Sequence, residues 1–284
     1  MLEEDKMQRS VSRVVSGANA VDGAGVKLVR VLGHGTTDDF DPFLMLDAFD
    51  SMNPDDYTRG FPWHPHRGIE TVTYLIKGSI EHQDSLKNTG TIHPGSCQWM
   101  SAGSGIMHQE MPQEAKRMLG MQLWLNMPAK RKMTSPKYHP IESGDVPEIN
   151  EDGAQVRMIS GAYKGTKGAM QAEHVKMTML DIALDPGAAF QMDTPDEETL
   201  VLYLFSGDGH FGEPARQVGQ KNAVLFTKGS EISFTAGDKG LRAMLFLAKP
   251  LYEPIAWGGP IVMNTKEELR QAFDELDRGE FIKS

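Results

Sequence analysis

Apolar and polar positions alternate with period two along much of the chain. In residues 119–127, Leu119, Met121, Leu123 and Leu125 fall on one side and Gly120, Gln122, Trp124 and Asn126 on the other. This is the pattern of a strand with one buried face. Val175, Met177 and Met179 against Lys176, Thr178 and Leu180 repeat it less cleanly. Residues 72–76, the turn Lys77-Gly78-Ser79 and the run from Ile80 predict a hairpin, with Gly78 supplying the positive φ of a tight turn. The 29 glycines and 16 prolines punctuate the chain every few residues, which favours many short strands over long helices. One helix is well specified near the C-terminus. Thr265 and Glu268 form a capping box, Leu269, Ala272, Phe273 and Leu276 make an apolar stripe, and Gly279 marks the stop. That stripe is expected to pack on a sheet.

The halves echo each other. TVTYLIKGSIE (71–81) matches TLVLYLFSGDG (199–209), and MQLWLNMP (121–128) matches AMLFLAKP (243–250). Both offsets are near 125 residues, which suggests a duplicated unit rather than a short repeat. Two β-rich domains are therefore expected, residues 1–140 and 141–284. The polar, proline-rich stretch 128–153 reads as their linker. Its Lys130-Arg131-Lys132 cluster reads as solvated linker charge rather than a nuclear signal.

Composition narrows the partners. The 284 residues carry 29 Lys and Arg against 39 Asp and Glu, a formal net charge of −10. Direct nucleic-acid or anionic-membrane binding needs the opposite field. The lone cysteine, Cys97, excludes an internal disulfide and fits a reducing compartment; it is expected to be buried and inert. No apolar run reaches membrane-span length, and the opening MLEEDKMQRS has no apolar leader region. A soluble, cytoplasmic protein is expected.

Six of the nine histidines lie between His34 and His108. His64 and His66 flank Pro65 in FPWHPHRGIET, and in an extended segment residues i and i+2 point to one side. His108 and Glu110 repeat that spacing after a glycine-rich turn. The two dyads can converge on one transition metal, Fe(II), Mn(II), Co(II), Ni(II) or Cu(II), with two octahedral positions left open. They can equally be surface-strand histidines and a local polar pair. The absence of cysteine ligands argues against a structural zinc site. His82 and Asp84 read as a solvated strand end or a pocket lining. Arg67 reads as an orienter of an anionic substrate or a salt-bridged rim arginine. The methionines near the dyads (Met100, Met107, Met111, Met121, Met127) read as core filling.

HPHRGIETVTYLIKGSIEHQDS (64–85) and HPGSCQWMSAGSGIMHQEMP (93–112), with DPFLMLDAFD (41–50) and PIVMNTKEEL (260–269), resemble the pirin family, a branch of the cupin superfamily. The likeness runs from about residue 10 to the C-terminus and is densest over 41–128. It implies an all-β bicupin: two antiparallel β-sandwich or barrel domains packed face to face, with a short C-terminal helix. It implies one metal, iron, in the N-terminal domain only, held by His64, His66, His108 and Glu110; Mn, Co, Ni, Cu and Zn are the alternatives. Generic cupins take their glutamate from the first motif, where this chain has Glu70. The pirin pattern assigns the role to Glu110. Aligning Gly78 with Gly207 sets Asp193 and Pro195 opposite His64 and His66, so the C-terminal half is expected to lack a metal site. The resemblance further implies quercetin 2,3-dioxygenase activity, in which O2 opens a flavonol and carbon monoxide leaves, with Glu110 as general base. Its alternative is an iron-dependent regulator that binds a transcription factor or metabolic enzyme.

Overall fold

A computed structural model describes residues 6–283. The reading of residues 1–5 as part of a leaderless opening lies outside the described residues. The chain is mainly β, as expected, with two β-sandwich domains and a helix at Lys266–Asp277. No helix among the described residues is long and apolar enough to cross a membrane.

Compactness groups the chain differently from a single cut at residue 140. One unit comprises Ala18–Gly144 and the chain from Leu251 on; the other comprises the described residues up to Gly17 and Asp145–Pro250. The ends are exchanged because each finds its polar partners in the other half of the sequence. Val11–Ser16 pairs antiparallel with Asn222–Phe226. Just before it, the buried Arg9 donates to Thr194 Oγ1 and to the carbonyls of Glu198, Thr227, Pro195 and Asp196. All of its nitrogens are thereby engaged, the condition for burying a guanidinium.

In the unit that begins at Ala18, a seven-stranded sheet has the order Lys137–Ile141, Cys97–Ser101, Ile69–Lys77, Met118–Asn126, Phe43–Ser51, Val26–Leu32, Ala18–Asp22. It faces a four-stranded sheet of Phe61–His66, Ile106–Pro112, Ile80–Asp84 and Thr89–Ile92. Leu75, Phe49, Val26 and Leu28 pack on Ile80 and Ile92 at one end of this sandwich. Met45, Ile69 and Trp124 pack on Ile106 at the other. The helix Lys266–Asp277 keeps its predicted capping box and lays Leu269, Ala272, Phe273 and Leu276 on Ile261, Met263 and Phe281. In the other unit, among the described residues, a nine-stranded sheet and the short pair Ala162–Tyr163 with Thr166–Lys167 enclose one core, Thr199–Phe211 and Glu231–Ala248 being the longest strands.

Three sequence expectations change. The runs on either side of Gly78 do not pair with each other: Ile69–Lys77 belongs to the seven-stranded sheet and Ile80–Asp84 to the four-stranded one. Gly78, at φ 86°, turns a corner between layers instead of closing a hairpin. Met118–Asn126 is buried along its whole length, so its apolar/polar alternation separates two buried faces. The presumed linker contains Lys137–Ile141, which pairs with Cys97–Ser101 at a sheet edge.

Lys132, read as solvated linker charge, is also buried, at 1% exposure. Its Nζ donates to Gly68 O (2.7 Å), Asn126 Oδ1 (2.6 Å) and Val262 O (3.0 Å), three acceptors for three donors. Burial pulls its pKa from 10.5 down to about 7. Between those values the unfolded chain binds a proton that the folded chain has shed, so this residue's contribution makes stability rise with pH. The slope is at most about 1.4 kcal/mol per pH unit. The stability difference between wild type and Lys132→Met, from denaturant titrations, is expected to widen in favour of wild type from pH 7 to 9. A difference that stays constant over that range would refute the account.

Candidate metal centre

The two histidine dyads meet because their strands pair. Phe61–His66 runs antiparallel to Ile106–Pro112 with Ile106 opposite His66 and His108 opposite His64. Side chains directly opposite each other share a face, so all three imidazoles turn into the sandwich. Ring centroids lie 4.3 Å (His64–His108), 4.9 Å (His64–His66) and 5.0 Å (His66–His108) apart. One nitrogen from each ring falls within 4.8 Å of the others. Among the described residues this is the only such group of three or more, and none occurs in the other unit.

Hydrogen bonds set which nitrogens face inward. His64 Nδ1 lies 2.8 Å from Pro62 O and His66 Nδ1 lies 3.0 Å from Pro260 O. A carbonyl oxygen only accepts, so both Nδ1 atoms carry the proton, and in the neutral ring the lone pair is then on Nε2. His108 is 1% exposed, and neither of its nitrogens has a hydrogen-bond partner. Each buried polar group left unmatched costs about 1–3 kcal/mol, a penalty that coordination would offset. Burial lowers His66 to about 3, with His64 reinforcing the shift, and holds His108 well below the usual range. Both rings are therefore neutral at pH 7, the ligand form of histidine. The residues fit a divalent transition metal held by imidazole.

Glu110 lies on the same strand, buried, but its carboxylate is not among the clustered ligand atoms. Oε1 accepts from Thr73 Oγ1 (3.1 Å) and Oε2 from Gln122 Nε2 (2.8 Å). Gln122 Oε1 in turn accepts from Trp124 Nε1 (3.2 Å). Burial raises the Glu110 carboxyl, while His64 and these two donors oppose the rise. Glu70 accepts from Ser101 Oγ on the neighbouring strand. Alternation places it on the opposite face of its strand from Thr73, the residue that touches Glu110.

The centre opens to a cavity of about 510 Å³ lined by His64, His66, Gln122, Trp124, Trp257 and His34, among others. Trp257 stacks on His34 with centroids 3.9 Å apart, and Trp124 meets His66 edge-on at 5.0 Å. At the rim, Arg30 bridges Asp47 (2.7 Å) and Asp22 (2.6 Å).

Several secondary readings are revised. Arg67 is not on the rim: at 2% exposure it donates to Glu275 Oε2 and Phe281 O, both at 2.8 Å. His82 and Asp84 are buried strand residues rather than a solvated end. His82 Nε2 lies 2.6 Å from Tyr138 Oη, and Asp84 accepts from Leu86 N, Asn88 N and Asn88 Nδ2 to fix the following turn. Cys97 is buried as expected, and burial raises its thiol pKa. Sequence reasoning missed Thr73, Gln122 and Trp124 as site residues. The polar positions of the alternating strand at 119–127 were the available signal.

Paired β-sandwiches with converging strand histidines define a two-domain cupin. The Pirin family model matches residues 25–125, and the model of the Pirin C-terminal cupin domain matches residues 179–282. A pirin-like protein of Caulobacter vibrioides is 42% identical over 276 residues, 96% of this chain and 99% of that protein. Human pirin is 36% identical over 268 residues, covering 93% and 91% of the two chains. A crystal structure of quercetin 2,3-dioxygenase from Acinetobacter baumannii matches with a TM-score of 0.88 at 30% identity, covering 96% of this chain and 98% of that one. This chain belongs to the pirin family.

The geometry predicts one equivalent of divalent metal per wild-type chain by elemental analysis. The His64→Ala/His108→Ala double variant, folded by circular dichroism, is expected to hold less than a tenth as much. Equal metal in both would remove the three imidazoles as its ligands.

Proposed function

We propose that the chain is a metal-dependent dioxygenase of the quercetin 2,3-dioxygenase type, acting on a flavonol-like aromatic substrate and O2. The observation that carries the reading is the convergence of three imidazoles beside a buried carboxylate, under an aromatic-lined cavity. The match to a quercetin 2,3-dioxygenase structure over nearly the whole chain supports it. His64, His66 and His108 would hold the metal, Fe(II) first among the candidates, with Glu110 as a weakly held fourth ligand that could leave it to act as base. The bound ion would supply Lewis acidity toward a flavonol oxygen and open positions for exchangeable ligands.

The protein's own part is binding and proton handling. Trp257, Trp124 and His34 give the cavity flat apolar faces for a planar aromatic. The Glu110 carboxylate takes the proton of the flavonol 3-hydroxyl as general base. Thr73 and Gln122 aim it with one hydrogen bond to each oxygen. Burial raises its affinity for that proton. The buried walls keep bulk water from the deprotonated substrate.

Oxygen uptake on quercetin is the test. The metal-loaded wild type is expected to consume O2 with carbon monoxide release, and Glu110→Gln to lose about 100-fold or more of kcat, the usual weight of a general base. Uptake by wild type that Glu110→Gln leaves unchanged removes the base assignment. Full metal loading without uptake on any flavonol overturns the enzymatic reading and favours a metal-dependent binding protein.

A further inference from the structure

We infer that the C-terminal segment from Leu251 on is a positioning element of the metal centre, fixing His66 through Pro260 and held in place by Arg67. The inference rests on the metal reading above. Pro260 lies 194 residues from His66, yet its carbonyl is the partner of His66 Nδ1. The next residues continue the contact. Ile261 bridges Arg67 in parallel, and Val262 N donates to Arg67 O at 3.0 Å. Gly68 then lies so close to Val262 O that a Cβ there would collide with it. Three consecutive residues, 66 to 68, are thus each read by one segment from far downstream.

Arg67 supplies the anchor. Its guanidinium donates from Nη1 to Glu275 Oε2 and from Nη2 to Phe281 O, and it lies over the Phe281 ring at 4.2 Å. The segment supplies the acceptors of both terminal nitrogens of this buried cation and a ring that covers it, so the segment and the sandwich form one construction. Lys132 adds a second tie from its Nζ to Gly68 O and Val262 O. Choosing between two imidazole tautomers of similar energy is worth only about a factor of two in affinity. Fixing the ring's orientation and basicity carries more, and such partners typically contribute about 10–100-fold. Arg67 touches no reacting atom. It acts through Pro260 on the direction of the His66 lone pair.

The test uses the full chain loaded with Zn(II), with Arg67→Lys and, as a control in the other unit, Arg242→Lys, whose guanidinium pairs with Asp181. Lysine keeps the charge but loses the fork that spans Glu275 and Phe281. Metal release to EDTA is followed alongside the ¹⁵N signal of His66 Nδ1–H, assigned by its loss in His66→Gln. Arg67→Lys is expected to release zinc about tenfold faster and to lose protection of the Nδ1 proton, while Arg242→Lys does neither. Wild-type release and an unchanged Nδ1–H in Arg67→Lys overturn the inference. So does equal acceleration in Arg242→Lys, which would mark general destabilisation. If Arg67→Lys does not fold, Phe281→Leu takes the same measurements, with at least threefold faster release expected and no change overturning it. If wild type takes up no zinc, the metal reading falls, and the metal-free Nδ1–H signal decides the positioning claim alone: its presence in wild type and loss in the variant sustain it, and its absence refutes it.

Discussion

The antiparallel pairing of Phe61–His66 with Ile106–Pro112 is the constraint on which the rest depends. The register that sets His108 opposite His64 turns three imidazoles from two distant sequence segments into one face. A slip of one residue would send every one of those side chains to the other side of the sheet. The register is therefore held by what lies inward: Ile106 in an apolar cluster at one end, and Glu110 between Thr73 and Gln122 further along. The polar and apolar contacts of this strand favour the same alignment.

A β-sandwich normally fills its interior with apolar side chains. This one carries Glu110, Gln122, Thr73 and His108 between its layers. Glu110, Gln122 and Thr73 satisfy one another, and the chain of bonds runs on to Trp124 at the cavity wall. His108 has no such partner. The contrast is with the three groups nearest along its own strand and the facing sheet, Glu110, Thr73 and Gln122, which bond to one another. An imidazole unmatched at both nitrogens, set within 4.8 Å of two rings oriented through their Nδ1 atoms, fits a metal ligand.

Much of this was legible in the sequence, for definite reasons. The i, i+2 spacing of His64 with His66 and of His108 with Glu110 identified same-side pairs, and strand geometry makes that inference local. The capping box at Thr265 and Glu268 was equally local and holds. What escaped was non-local. No periodicity says that the run before Gly78 and the run after it go to different sheets. None says that residues 260–262 return to lie along 66–68. Lys132 looked like solvated charge because its three acceptors, Gly68 O, Asn126 Oδ1 and Val262 O, come from three separate stretches of chain. Gln122 and Trp124 were placed on the polar side of their strand, and the assignment of sides was right. The inference that the polar side is the wet side failed, since both faces are buried.

The rim of the cavity bears on what enters it. The sequence offered Arg67 as a cation for an anionic substrate, but that guanidinium is spent on Glu275 and Phe281. The cation that does line the cavity, Arg30, is engaged by Asp47 and Asp22 together, so one positive charge faces two carboxylates. Apart from the charge that a metal would bring, the rim balance is negative, in keeping with the chain's net charge of −10. Arg30 is thus not free to pair a carboxylate or phosphate at the rim, where a metal would be the main source of positive charge. A neutral, planar, hydroxylated aromatic meets the reverse: flat rings at Trp257 and Trp124, and acceptor oxygens for its phenolic donors. On the proposed dioxygenase reading, deprotonation would come after entry, at Glu110, where the walls rather than the rim set the charge.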